Sequence, residues 1–280
     1  MHKLSIPDAP NSIQKGVPLK EVLGQTAVKY LGRNLQMVHP SFRVEEFVHR
    51  AIIDIEPLSL KERSTHLART MREFLPPNYA EAIEIILKSL TPPLSQTENN
   101  GLAPMFYMPH CTYVSIYGVD AKHNNGKDPF DISMKAIYEL TTRFTSEFAI
   151  RPFIIEAEKR TLDVLNEWVK DKNPHVRRLC TEGTRPRLPW AMKIPSFIDD
   201  PAPVIPMLDL LKNDPVLYVR RSVANHLGDI AKDNLDVVLD LCTKWLDGAS
   251  KELKWVIRHA LRNPDKRGIK EAVELRKAAK

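Results

Sequence analysis

Read from the amino terminus, the chain passes from scattered to periodic near Leu19. Residues 1–18 are polar and broken by Pro7, Pro10 and Pro18, which predicts a flexible leader. Beyond it, apolar residues recur three and four apart, the repeat of a helix with one buried face. Residues 51–58, 66–74 and 79–90 carry this pattern, and Pro76-Pro77 and Pro92-Pro93 stop two of the segments. TPPLSQTENNGLAP, residues 91–104, reads as a surface loop, and residues 118–129 as a shorter polar break. The stretch MFYMPHCTYVSIYG between them fits a buried helix or, less well, a strand.

The second half repeats itself. NPHVRRLCTEG (173–183), DPVLYVRRSVANHLGD (214–229) and SKELKWVIRHALRN (250–263) share one plan. In the first two, Asn or Asp caps a helix and Pro takes the first helical position, where a missing N–H costs nothing. An apolar residue followed by a basic one comes next: Val176-Arg177, Val219-Arg220 and Leu253-Lys254. These anchors lie 43 and then 34 residues apart, the period of helical hairpins that bury their apolar faces by stacking on neighbours. An earlier copy could lie in residues 141–154. The expectation is an all-α solenoid of HEAT-like repeats forming one domain over residues 19–280. Only 10 glycines in 280 residues fit that helical bias.

Composition narrows the function classes. No apolar run reaches the roughly 18–20 residues that cross a bilayer, and the N-terminal stretch has no apolar signal core, so a cytoplasmic protein without a membrane partner is expected. Cys111, Cys180 and Cys242 are too scattered for a disulfide framework or a zinc site. The net charge of +6 is unevenly spread. Residues 1–140 hold 15 Lys and Arg against 15 Asp and Glu, and residues 141–280 hold 26 against 20. A polyanion surface in the second half follows as an expectation.

The repeats suggest where that surface lies. Arg177, Arg178, Arg220 and Arg221 fall in the first turns of helices, where exposed N–H groups and the dipole favour anions. Arg185, Arg187, Lys193, Lys254, Arg258 and Arg262 lie close by. The competing expectation is that these side chains pair with Asp and Glu of adjacent helices. Two carboxylates share the setting: aligning the repeats by their valines brings Glu182 level with Asn225, one turn from Asp229. A carboxylate in a DNA groove repels phosphate, so it needs a compensating purpose, and an oxocarbenium-like state at a deoxyribose provides one. Trp190 could offer an aromatic face to a cationic nucleotide. Ordinary ion pairs for Glu182 and Asp229, and a core position for Trp190, remain open alternatives.

VRRLCTEGTRPRLPW (176–190), DPVLYVRRSVANHLGDIAKD (214–233) and TSEFAIRPFI (145–154) resemble signature segments of AlkC-type enzymes of the AlkC/AlkD superfamily of DNA glycosylases. The likeness spans most of residues 20–265. It implies a C-shaped helical solenoid whose concave basic face grips duplex DNA as a monomer. It implies monofunctional hydrolysis of the glycosidic bond of cationic alkylated bases, 3-methyladenine and 3-methylcytosine, with no metal or organic cofactor and no lyase activity. Base flipping, the usual expectation for such enzymes, need not apply. By the same resemblance Glu147, Glu182, Trp190 and Asp229 form the catalytic set. Asp229 and Glu182 position water and stabilise the cation, Glu147 adds field or holds water, and Trp190 packs against sugar or base. Arg178, Arg220 and Arg221 bind phosphate. Some members carry an added immunoglobulin-like domain after the repeats, and this chain resembles the shorter form. Two rival functions remain: a non-catalytic HEAT-like protein that binds damaged or branched DNA, and a scaffold for another protein.

Overall fold

A computed structural model describes residues 3–280, and Met1 and His2, at the start of the expected leader, lie outside the described residues. Among these residues there is no strand, and sixteen α-helices with short 3-10 turns form two compact units that divide between Phe153 and Ile154.

The first unit contains α1 (Gln25–Val38), α2 (Val44–Ile52), α3 (Leu60–Phe74), α4 (Tyr79–Lys88), α5 (Met108–Tyr117) and α6 (Phe130–Thr141). Helix α7 (Arg151–Glu156) crosses the boundary. Capping sets the starts: Ser59 and Glu62 form a reciprocal capping box on α3, and the Asn78 side chain accepts from the Glu81 N–H on α4. The ambiguous apolar stretch is helical, as α5. It packs against α3, with Tyr113 and Val114 buried. Gly118 ends it where a side chain would collide with the Tyr79 hydroxyl and Ser133. Tyr79 and Ser133 hydroxyls bond at 2.8 Å there, and Ser133 donates to the Gly118 carbonyl.

Three expectations for this half change. Residues 51–58 are not one helical segment: α2 ends at Ile52, and Asp54 turns the chain at φ +61°. The leader is tied down where it is described, because Asn34 donates from Nδ2 to the Ser5 carbonyl at 2.8 Å and the Leu102 N–H donates to the Pro10 carbonyl. Residues 141–154 do not form an earlier repeat copy. Helix α6 stops at Thr141, and a turn precedes α7.

The second unit contains α8 (Glu158–Trp168), α9 (Pro174–Glu182), α10 (Pro195–Asp199), α11 (Ile205–Leu211), α12 (Leu217–Ile230), α13 (Leu235–Leu246), α14 (Lys251–Ala260), α15 (Arg262–Lys266) and α16 (Lys270–Ala278). Helix α12 packs between α9 and α14, so the three repeat segments stack side by side. Val176, Val219 and Leu253, the alignment anchors, are all buried in that stack. Asn173 caps α9 by accepting from the His175 N–H, and Ser250 caps α14 from the Leu253 N–H. Asp214 does not cap α12 directly. Its carboxylate accepts from the Val216 N–H in a turn that precedes the helix, while Arg177 of α9 holds both its oxygens, at 2.6 and 3.1 Å.

Candidate active site

Two acidic residues from neighbouring repeats converge on one guanidinium. Glu182 closes α9, and Gly183 begins a tight turn in which the Thr184 hydroxyl donates to the Cys180 carbonyl at 2.6 Å. That turn folds Arg185 back over the helix end. Arg185 Nη1 donates to Glu182 Oε1 at 2.5 Å, and its Nε donates to Asp229 Oδ2 of α12 at 2.7 Å. The remaining oxygens are also engaged. Ser222 Oγ donates to Glu182 Oε2 at 2.6 Å and itself accepts from Thr181 Oγ1, while Lys232 Nζ donates to Asp229 Oδ1 at 2.6 Å. Arg178 approaches Glu182 Oε1 at 3.5 Å. Both carboxylates are buried, with side chains 7% and 4% exposed.

The electrostatics follow from this enclosure. Burial alone would raise the Glu182 carboxyl. Arg178, Arg185 and the Ser222 hydroxyl outweigh it and hold the group below the usual carboxylate range. His226, fully buried beneath the pair, is pushed down to about 3 by burial and then by Arg185, so it is neutral. Its Nδ1 lies 2.9 Å from the Thr181 carbonyl, an acceptor, so Nδ1 carries the proton. Arg262 forms the next layer, donating to Asn225 Oδ1 at 3.1 Å and to the His259 carbonyl at 2.6 Å.

Trp190 sits on the loop that leaves this cluster. Leu188 is buried, the Ile194 N–H donates to the Pro186 carbonyl, and Arg187 pins the loop to Asp233 through two bonds of 2.5 and 2.7 Å. On that rigid base Trp190 is 78% exposed and its φ is +65°. Positive φ is unfavourable for a bulky residue and costs of order 1–3 kcal/mol. A core role for Trp190 is therefore excluded. Glu147 belongs to the first unit, where it accepts from Thr145 Oγ1 at 2.6 Å.

Most of the basic residues expected to meet phosphate are committed to protein partners. Arg185 is held by both carboxylates, Arg177 by Asp214, Arg187 by Asp233, and Arg258 by the Ala279 carbonyl. The reason is stacking: each arginine meets an acid or carbonyl that the next repeat brings alongside, and a buried cation without such a partner would be costly. Arg220 donates to the Asp214 carbonyl at 2.5 Å, and Arg178 lies over the Tyr218 ring at 5.0 Å. Arg221 is exposed and Lys254 half-buried, and neither makes an ion pair among the described residues. Sequence reasoning gave no role to His226 or Lys232. A basic residue three positions after an acid at a helix end, as Lys232 follows Asp229, was the available signal.

Stacked helical hairpins whose neighbouring repeats bring polar side chains together at their shared face define a HEAT-like helical-repeat protein. No family profile matches the chain. It is 36% identical over 258 residues to the uncharacterized protein YhaZ of Bacillus subtilis (strain 168), a match covering 92% of this chain and 67% of YhaZ. The Pseudomonas fluorescens alkylpurine DNA glycosylase AlkC, solved bound to DNA containing an abasic site analog, is similar with a TM-score of 0.80 and 34% identity. That match covers 92% of this chain and 67% of AlkC, so the chain spans about two-thirds of the length of both relatives. The chain belongs to the AlkC family of DNA glycosylases.

Proposed function

We propose that the protein is a monofunctional DNA repair glycosylase that hydrolyses the N-glycosidic bond of cationic alkylated bases in duplex DNA, with 3-methyladenine and 3-methylcytosine as substrates. The observation that carries this is the convergence of Glu182 and Asp229, from separate repeats, on Arg185. Burying two carboxylates beside one another is costly, and a developing sugar cation is a chemistry that makes use of them.

The reaction needs little machinery. Alkylation at ring nitrogen 3 gives the base a positive charge, so it leaves with the bonding electron pair as a neutral molecule and no general acid is required. Water adds to the sugar carbon and gives its proton to a carboxylate, which we assign to Asp229. Its Oδ1 is covered only by Lys232, which is half exposed. The half-exposed ammonium can reach solvent, so a DNA phosphate can draw the lysine away and free that oxygen. Glu182 adds field from behind, and Trp190 packs against the sugar or base. Arg178, Arg220, Arg221 and Lys254, on three stacked repeats, are assigned to backbone phosphates. No helix of the described residues is long and apolar enough to cross a membrane, and a monomer acting in the cytoplasm completes the proposal.

One observation favours the alternative of a non-catalytic binder of damaged DNA: all four oxygens of Glu182 and Asp229 already accept hydrogen bonds. Chromatography of bases released from an N-methylated duplex separates the two. Release of 3-methyladenine and 3-methylcytosine, with neutral lesions left in place, is the expected result. Binding without release supports the alternative, and comparable excision of a neutral base contradicts the proposed chemistry.

A further inference from the structure

We propose that Arg185 is a positioning residue for this reaction, fixing the spacing and orientation of Glu182 and Asp229 across two repeats, and is not a phosphate contact. The inference rests on the glycosylase function proposed above. A guanidinium is a rigid plane, so the Nη1 bond to Glu182 and the Nε bond to Asp229 set where the two acceptor oxygens lie relative to one another. The other oxygen of each acid faces a softer donor, the Ser222 hydroxyl or the half-exposed Lys232. Arg185 is therefore the only rigid link among the described residues that joins the two acids.

Its setting excludes the usual work of a DNA-binding arginine. The Arg185 side chain is 10% exposed and follows a turn closed by Thr184, with Pro186 fixing the residue after it. Two adjacent carboxylates without a cation between them would resist ionising together. The charged and titratable groups around Glu182 are Arg178 of its own helix, Arg185 of the turn, and Asp229, His226 and Lys232 on or just beyond α12, with Arg262 of α15 behind Asp229. His226 is neutral, so Arg185 is the cation that both acids share.

Three proteins test this: the wild type, Arg185→Lys and Arg185→Gln. The measurements are single-turnover base release from N-methylated duplex across pH and equilibrium affinity for undamaged duplex across salt. Arg185→Gln is expected to slow release on the order of 100-fold and to move the acid limb of the profile upward by about one pH unit or more. Affinity and its salt dependence stay within about twofold, because no phosphate contact is lost. Arg185→Lys keeps the charge without the fork, so its rate falls about tenfold with the acid limb in place. Affinity that falls as far as the rate, with a salt slope smaller by about one, marks a phosphate contact and overturns the proposal. An unchanged rate and profile in both variants overturns it as well. If circular dichroism shows Arg185→Gln unfolded, Arg185→Lys decides: loss of rate alone supports positioning, and loss of both or neither contradicts it. A wild type that binds duplex and releases no base removes the glycosylase function and this role together, an outcome distinct from an active wild type matched by its variants.

Discussion

In each unit a buried arginine meets two acids, Arg63 in the first and Arg185 in the second, and the two arrangements are not alike. In the first unit Arg63 is 1% exposed, and its Nη2 meets Glu21 at 3.2 Å and Glu56 at 3.3 Å, acids whose side chains are 42% and 82% exposed. Carbonyls of Lys20 and Glu56 also accept from its Nη1 and Nη2. In the second unit the partners of Arg185 are themselves inside. The charge of a buried arginine can thus be paired with acids that stay in water, as that of Arg63 is. Arg185 does not explain why Glu182 and Asp229 are buried. The second arrangement desolvates three charges where the first desolvates one, and that extra cost marks the cluster as a place where something other than stability has set the residues.

The comparison breaks most visibly in stability. Asp229→Ala leaves the buried Arg185 Nε without its acceptor and Lys232 without its ion-pair partner, and is expected to cost about 3–5 kcal/mol. Glu21→Ala, which removes an exposed acid from Arg63, costs less than about 1 kcal/mol. Urea melts of both variants check this, and equal losses would erase the distinction between the two clusters. Trp190→Gly comes next. Relief of the positive φ raises stability by roughly 1 kcal/mol, while base release falls about tenfold for loss of one contact of about 1.4 kcal/mol. A fall in stability would show that Trp190 is structural.

Acid titration gives a smaller, signed effect. Glu182 lies below its ordinary value of 4.5 in the folded protein, held there against burial by Arg178, Arg185 and Ser222. A depressed carboxyl adds stability that is present above its unfolded pKa and lost as pH falls through the folded one. Melting temperatures of Glu182→Gln should therefore depend less on pH below about 4.5 than those of the wild type. Identical slopes would mean that Glu182 is not held ionised. The smallest effect is electrostatic: Arg221→Ser and Lys254→Ser should each reduce the salt slope of duplex binding by about one, leaving release from saturated complex unchanged.

The sequence was most legible where local rules act alone. Val176, Val219 and Leu253 mark the phase of their helices, and their alignment predicted the stacking of α9, α12 and α14. It also brought Glu182 and Asp229 to neighbouring faces. What it could not supply was the partner of each charge. Arg185 and Arg187 resemble phosphate contacts when counted as charge, yet their partners Asp229 and Asp233 lie 44 and 46 residues away and meet them only once the repeats are stacked. Trp190 shows the same limit in the backbone, since its φ is set by a loop closed between Pro186 and Ile194 and pinned through Arg187. The looseness expected of the leader failed for a similar reason: Asn34, which holds Ser5, is far along the chain.

The central claim is that buried carboxylates from two repeats stabilise charge on the sugar. The most direct test is single-turnover release of 3-methyladenine by the wild type and by Asp229→Asn, with affinity for a duplex carrying an abasic analogue measured alongside. A loss on the order of 100- to 1,000-fold in rate, with affinity unchanged within about threefold, is the predicted result. Release by Asp229→Asn at the wild-type rate would contradict the account.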